Sequence, residues 1–262
     1  MMRLHPNSFS RWLKKTGVRH RRGFTLIEML IVLVIIVLLA ALALPHIRGH
    51  TESVAINAAT GQLAADLAYA RQKAISQRST AAVVFLPTEV TTIPDTSPLF
   101  TANDEKAAVR RLQAGAYTTY AIYGFRRAGE QPGQGTPGYL TEWKSLPEKT
   151  FLGTNQFDFG RVSTIKLPFP FSRSTYLLEM PYIAFDAEGR CLGNLNPQTG
   201  VGTPGTDVDL EVARGAILYS RNNNGAVMNF EVQEIPPFNA SNNIIHVDAL
   251  TGRSQRILPE VK

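Results

Sequence analysis

Residues 21–45 read RRGFTLIEMLIVLVIIVLLAALALP, and their reading decides the fold. From Phe24 to Leu44 stand 21 residues with one charge, at Glu28. A helix needs roughly 20 apolar residues to cross the hydrocarbon core of a bilayer, so the run is long enough to span. A secretory signal peptide would have a shorter apolar core, about 7–15 residues, ending in a small-residue cleavage site. Ala40-Ala41-Leu42-Ala43 could offer such a site, but the run is too long and too uniform. Upstream, residues 1–23 hold Arg3, Arg11, Lys14, Lys15, Arg19, Arg21 and Arg22 and no acid. Downstream, Arg48 is the next basic residue and Arg71 the one after it. This asymmetry keeps the N-terminus in the cytoplasm and sends the C-terminal bulk outward, through a single membrane pass. It also locates the formal net charge of +6. Removing the seven leader charges from 27 basic residues leaves 20 against 21 acidic ones, a net of −1. The basic character belongs to the leader, which argues against a large nucleic-acid footprint on the rest of the chain.

A carboxylate in lipid costs up to about 3 kcal/mol at mid-membrane and less near the edge, so an intramembrane acid points to function when a partner can be named. No basic residue lies in the apolar run. A cut after Gly23 would supply one, because Phe24 then carries a new α-amino group with a pKa of about 8. In a bundle, Glu28 of one subunit can accept the Phe24 amine of its neighbour, which sets an axial stagger of one subunit. Loss of either partner would leave an uncompensated charge.

RRGFTLIEML resembles the processing site of type IV pilins and type II secretion pseudopilins. The resemblance implies cleavage between Gly23 and Phe24 by prepilin peptidase, N-methylation of Phe24, and an assembly role for Glu28, the fifth residue of the mature chain. Pro45 falls at mature position 22, where many members have proline. LAYARQKAISQRS followed by AAVVFL, and YIAFDAEGR followed later by IIHVDALTGR, resemble the GspH/FimT-type branch of minor pseudopilins and pilins. The family implies other pseudopilins or pilins and the inner-membrane assembly platform as partners. It implies an inner-membrane anchor, a periplasmic C-terminal domain, and a structural role in a pseudopilus or pilus that supports protein secretion. The leader, at 23 residues, is longer than the pseudopilin norm, and the initiator could lie downstream of Met1. Within it SFSRWLKKTGV (8–18) reads either as a short interfacial helix anchored by Phe9, Trp12 and Leu13 or as a soluble basic tail.

Beyond the span, Pro45 is expected to bend or locally open the helix, and Gly49 and Gly61 to loosen it. Ile56, Ala59, Leu63, Leu67, Ala70 and Ala74 recur at spacings of three and four, one apolar stripe on a helix running to about Ser79. Asn57, Asp66, Lys73 and Gln77 fall elsewhere on it. After Arg78 the pattern becomes β. Strands are expected at Ala81–Leu86, Thr118–Phe125, Arg161–Leu167, Tyr176–Asp186, Ala213–Ser220, Val227–Val232 and Ile244–Asp248, with turns at Asp186–Arg190, Asn222–Gly225 and Thr251-Gly252. Residues 129–138 and 193–206 read as long loops, and 87–175 match no known pattern as a whole. The expected class is α+β: a long N-terminal helix, transmembrane then amphipathic, packed on an antiparallel β-rich domain. The divisions are a leader (1–23), a transmembrane helix (24–45), its amphipathic continuation (46–79) and a periplasmic domain (80–262).

Catalytic patterns are missing from the sequence. His246 is the one histidine beyond residue 80, and a strand position explains it. No G-x-S-x-G, H-E-x-x-H or Walker A pattern occurs. GQGTPG (133–138) and GVGTPG (200–205) have dinucleotide-fingerprint spacing, but each holds a proline and precedes no helix, so both read as loops. The single cysteine, Cys191, excludes an internal disulfide and any multi-cysteine zinc site. His46 and His50 share a helix face but read as solvated. Asp207, Asp209 and Glu211 alternate along a strand and are weak calcium ligands at best, so no cofactor is expected. An alternative function is DNA uptake, with Arg253, Arg256 and Lys262 contacting phosphates. Another is a membrane-anchored periplasmic protein that joins no filament.

Overall fold

The computed structural model describes residues 24–94, 97–126, 129–130, 135–154, 162–223, 227–237 and 243–257, with backbone alone over 42–53. The leader, Gly23 and part of the Asn222–Gly225 turn therefore lie outside the described residues, as do the side chains of Pro45, His46 and His50. Two compact units emerge, Met1–Gly49 and His50–Lys262.

In the first unit, helix α1 (Leu26–Gln77) begins. Every described side chain from Leu26 to Ala41 is exposed. Among the described residues no helix is long and apolar enough to cross a membrane. The described side chains stop at Ala41, three positions before the apolar run ends at Leu44. The backbone at Pro45 is helical, in place of the expected local opening.

The second unit contains the rest of α1, a second helix and the sheets. Its strands are β1 (Ala81–Phe85), β2 (Thr119–Gly124), β3 (Gly138–Tyr139), β4 (Lys144–Ser145), β5 (Thr150–Leu152), β6 (Thr164–Pro168), β7 (Leu177–Phe185), β8 (Cys191–Gly193), β9 (Thr203–Pro204), β10 (Val208–Arg221), β11 (Val227–Glu234), β12 (Ile244–Val247) and β13 (Ser254–Ile257). Among the described residues one sheet runs β3-β2-β1-β7-β8-β9, with β4 on β2 and β6 on β7; the other runs β11-β10-β12-β13, with β5 on β10. All the pairings are antiparallel. The architecture is α+β, an N-terminal helix followed by an antiparallel β-rich domain.

The spacing of the apolar stripe explains how the helix sits. Ile56, Ala59, Leu63, Leu67, Ala70 and Ala74 are all buried, against Val83, Phe85, Ile122, Phe185, Leu210 and Ile245 from both sheets. Three of the six are small alanines, which lets the helix lie close to the strands. Strand β1 is buried along its whole length. Its odd residues face α1, while Ala82 and Val84 face a second core with Phe100, Val109, Leu112 and Phe169. Continuous burial on both faces replaces alternation with an unbroken apolar run, AAVVF.

The second core is closed by helix α2 (Asn103–Leu112), inside the stretch that matched no pattern. Only Ala108, Val109 and Leu112 supply its apolar contact, with a buried Glu105 that accepts a hydrogen bond from Ser174 Oγ at 2.6 Å. So sparse a stripe escapes a periodicity search. The charges could have revealed it: Asp104 and Glu105 stand in the first turn and Arg110 and Arg111 in the last, matching the helix dipole.

Other boundaries shifted in both directions. The strand expected at Ala213–Ser220 extends over Val208–Arg221, because Leu210 and Val212 continue the buried face. The strand expected from Arg161 begins at Thr164. GVGTPG is not wholly loop: Thr203 and Pro204 form β9 on the edge of β8.

Candidate functional site

At the start of α1 the local chemistry is a capping box. Thr25 stands before the first helical residue and Glu28 three positions later. The Glu28 N–H donates to Thr25 Oγ1, and Glu28 Oε2 accepts from the Thr25 N–H and hydroxyl, each at 3.2 Å. Reciprocal bonds of this kind satisfy amides that the first turn leaves without intrahelical partners. The carboxylate also lies at the positive end of the helix dipole. Within one chain, therefore, Glu28 already has partners. The T-x-x-E signature ahead of the apolar run carried this information, but the cost of an acid in lipid dominates a first reading of the motif. Phe24, one residue upstream, is 75% exposed.

Further along, the face of α1 turned away from the sheets is unusual. Val54, Ala58, Gly61, Ala65, Ala68 and Tyr69 are exposed, at helical spacings of three and four. Between Val54 and Ala70 the one charged residue is Asp66, and it is buried. A solvated helix face normally carries charge, whereas this one is small and neutral. An ideal Cβ at Gly61 would meet nothing within 4 Å. Glycine is thus not required there by the domain's own packing, although it costs roughly 1 kcal/mol against alanine in a helix.

Three polar side chains lock the opposite face onto the sheets. Gln62 Nε2 donates to the Tyr120 hydroxyl at 2.9 Å and to the Ser145 carbonyl at 3.1 Å. Asp66 accepts from Tyr120 and from Lys144. Burial, then the Asp66 carboxylate, pushes the Tyr120 pKa far above its ordinary 10. Arg71 Nε reaches the carbonyls of Gly189 at 3.2 Å and Thr251 at 2.7 Å, gathering two turns that are distant in sequence. Those turns are built alike. Asp186 accepts from the Glu188 and Arg190 amides, and Asp248 from the Thr251 amide and hydroxyl. Cys191 N–H donates to the Ala249 carbonyl between them.

The remaining candidate residues do not converge. Asp209 pairs with His246 Nδ1 at 2.7 Å across β10 and β12, and Asp207 accepts from the Ala249 N–H at 2.7 Å. Glu211 lies opposite Ile244. Among the described residues no group of three or more His, Cys, Asp or Glu side chains could hold a metal ion. Arg256 is engaged by Asn57 Oδ1 at 2.6 Å and Asn243 Oδ1 at 3.1 Å, which ties the last strand to α1. Arg253 is exposed, and Lys262 lies outside the described residues. Cys191 is buried, and desolvation with the nearby Asp248, Asp207 and Asp186 pushes its thiol up to about 12. A thiol so shifted is a poor nucleophile at neutral pH.

The capping box and the exposed apolar turns beyond it fall within residues 18–44, which match the family model of the prokaryotic N-terminal methylation motif. The chain carries a prepilin-type N-terminus. The motif supports the type IV pilin and pseudopilin superfamily, whose members are structural subunits rather than enzymes, and it does not distinguish the GspH/FimT-type branch within it. No curated protein matches the chain. Among solved structures, the type IV minor pilin FimU of Pseudomonas aeruginosa (strain PAO1) is similar at 13% identity over 80% of this chain and 97% of that one. The TM-score between the two is 0.36.

Proposed function

We propose that the chain is a minor pilin or pseudopilin, a non-enzymatic subunit inserted in the inner membrane through residues 24–45 with its β-rich domain in the periplasm. Prepilin peptidase cuts between Gly23 and Phe24 and methylates the Phe24 amine. The freed amine of one subunit meets Glu28 of the next, which adds a partner outside the chain to the one that Thr25 supplies within it. Residues 46–79 continue the helix into the filament, with the neutral face around Gly61 turned to neighbouring helices. Other pilins, the peptidase and an inner-membrane assembly platform are the partners, and export of proteins through a type II secretion pseudopilus is the process served.

The observation that carries this reading is the junction itself: glycine, phenylalanine and glutamate at matching offsets inside the matched motif. Co-expression with a prepilin peptidase is expected to shorten the chain by 23 residues and to leave a methylated Phe24, both read by mass spectrometry. Gly23→Val is expected to stop this, and unaltered cleavage of that variant would remove the site. Glu28→Leu should insert and be cut yet fail to join filaments. Normal incorporation of it would refute the amine–carboxylate pairing.

A further inference from the structure

The sheet face that holds α1 continues past the helix contact. Strand β13 follows α1 toward its N-terminal side, since Ser254 Oγ donates to the Ala64 carbonyl at 3.3 Å and Arg256 reaches Asn57. Strand β12 is antiparallel to β13 and β10 to β12, so β10 runs the same way. Leu210 and Val212 of β10 are buried with α1 residues in one core. Alternation along the strand puts Arg214, Ala216 and Leu218 on that same face. Opposite them stand Ile235, Gln233 and Glu231, and residues directly opposite in an antiparallel pair share a face.

The two faces of this hairpin differ in cover. On one, Ile217 and Val232 pack against Phe151 and Ala213. On the other, Leu218 and Ile235 are each 50% exposed. Among the described residues Ala216, Leu218 and Ile235 join none of the hydrophobic clusters. The helix has a matching surplus. Its inner stripe goes to the sheets, while Ala58, Gly61, Ala65 and Ala68 stay exposed and uncharged. Gly61 to Ala68 spans about 10 Å of helix, and Arg214 to Leu218 about 13 Å of strand. The chain therefore holds two stripes on α1 and two stretches of receiving sheet, and it joins one of each internally.

We propose that the hairpin face of Ala216, Leu218 and Ile235 docks the Ala58, Gly61, Ala65 and Ala68 stripe of α1 from a second copy of this chain. The contact continues the interface by which the same sheet face already holds its own helix, and it brings an uncharged helix face onto apolar side chains. It joins unlike surfaces. Each docked copy keeps one free helix stripe and one free hairpin face at the two ends of the assembly, so association continues from copy to copy instead of stopping at a twofold dimer. A lipid surface is a poor occupant, because Glu231 lies on the hairpin face. The inference deepens the filament reading above, and rests on it, by naming surfaces through which successive subunits meet.

The test uses full-length protein in detergent micelles, a short bismaleimide, and the substitutions Gly61→Cys and Leu218→Cys; the native Cys191 is buried. The double variant is expected to give a ladder of linked multimers. A mixture of the two single variants should give dimers and nothing longer, and each single variant alone should stay monomeric. Adding Ile235→Asp to the double variant should cut the ladder about tenfold or more, because a carboxylate is then buried in the contact without a partner. Ile235→Leu should preserve the ladder, which keeps the test valid should the aspartate variant misfold. Dimers from Gly61→Cys alone would show helix pairing with helix and would overturn the proposal. No cross-link in the mixture, or a ladder undiminished in a folded Ile235→Asp protein, would overturn it too. Cleavage between Gly23 and Phe24 without any cross-link would sink this contact and leave the processing site standing.

Discussion

Tyr120 donates its phenolic hydrogen to Asp66 Oδ2 at 2.7 Å, across the interface between α1 and β2. Lys144 holds the other carboxylate oxygen at the same distance. Asp66 is 8% exposed, so its charge is tolerated because both oxygens are bonded. Asp66→Ala is expected to cost about 2–3 kcal/mol, since it strands a buried hydroxyl and a cation together. Lys144→Ala should cost less than about 1 kcal/mol, because the lysine side chain is 40% exposed and solvent screens it. Urea unfolding of the two variants checks the order; equal losses would contradict it.

Gly61 offers a way to separate folding from assembly. With open space where its Cβ would lie, Gly61→Ala should raise unfolding stability by about 0.4–1 kcal/mol. Gly61→Leu should leave the folded domain intact, as judged by its circular dichroism and melting temperature, yet reduce recovery of the subunit in sheared filaments. Full recovery of the leucine variant would mean that the neutral face packs against nothing.

The helix facing the sheets was readable because its rule is local. Spacings of three and four put six residues on one side, and all six are buried. The positions of β1, β2, β6, β7, β10, β11 and β12 were readable for the same reason, whereas the short strands β3, β4, β5, β8 and β9 were not. The polar lock was not. Asp66 could be placed only off the apolar stripe, because nothing nearby in the chain is its partner; Lys144 is 78 positions away and Tyr120 is 54. Helix α2 was missed because three apolar residues sufficed once Phe100 and Phe169 completed the core. At the start of α1, spacing revealed Glu28 but not its bonds to Thr25, although that pairing too is local.

His246 supplies a pH test. The hydrogen bond that His246 Nδ1 donates to Asp209, with further help from the Asp207 and Asp248 charges, raises its pKa above the ordinary 6.5. A histidine raised on folding stabilises fully below the unfolded value and loses that contribution as pH climbs through the folded one. Melting temperature should therefore fall as pH rises above about 6.5, and Asp209→Asn should flatten that fall. An NMR titration placing the His246 midpoint below 6.5 would reverse the sign.

Gly252 sits at φ +60°, and a Cβ there would come within 2.0 Å of the Gly189 carbonyl oxygen. Gly252→Ala is expected to cost about 2–3 kcal/mol, from backbone strain together with the collision. Gly129 has φ +89° but open surroundings, so Gly129→Ala should cost only about 1–2 kcal/mol. Thermal melts of the pair distinguish the two contributions; equal shifts would mean that the collision is relieved at no cost.

Arg71 joins α1 to the reversals at both Gly189 and Thr251, while Gln62 and Asp66 grip β2 and the β4 segment two turns earlier. A tug along the helix axis is accordingly shared by several anchors loaded side by side, none of which can part before its neighbours yield. A fibre made of such subunits would give way first where one protomer meets the next, with each β-domain still fastened to its own spine.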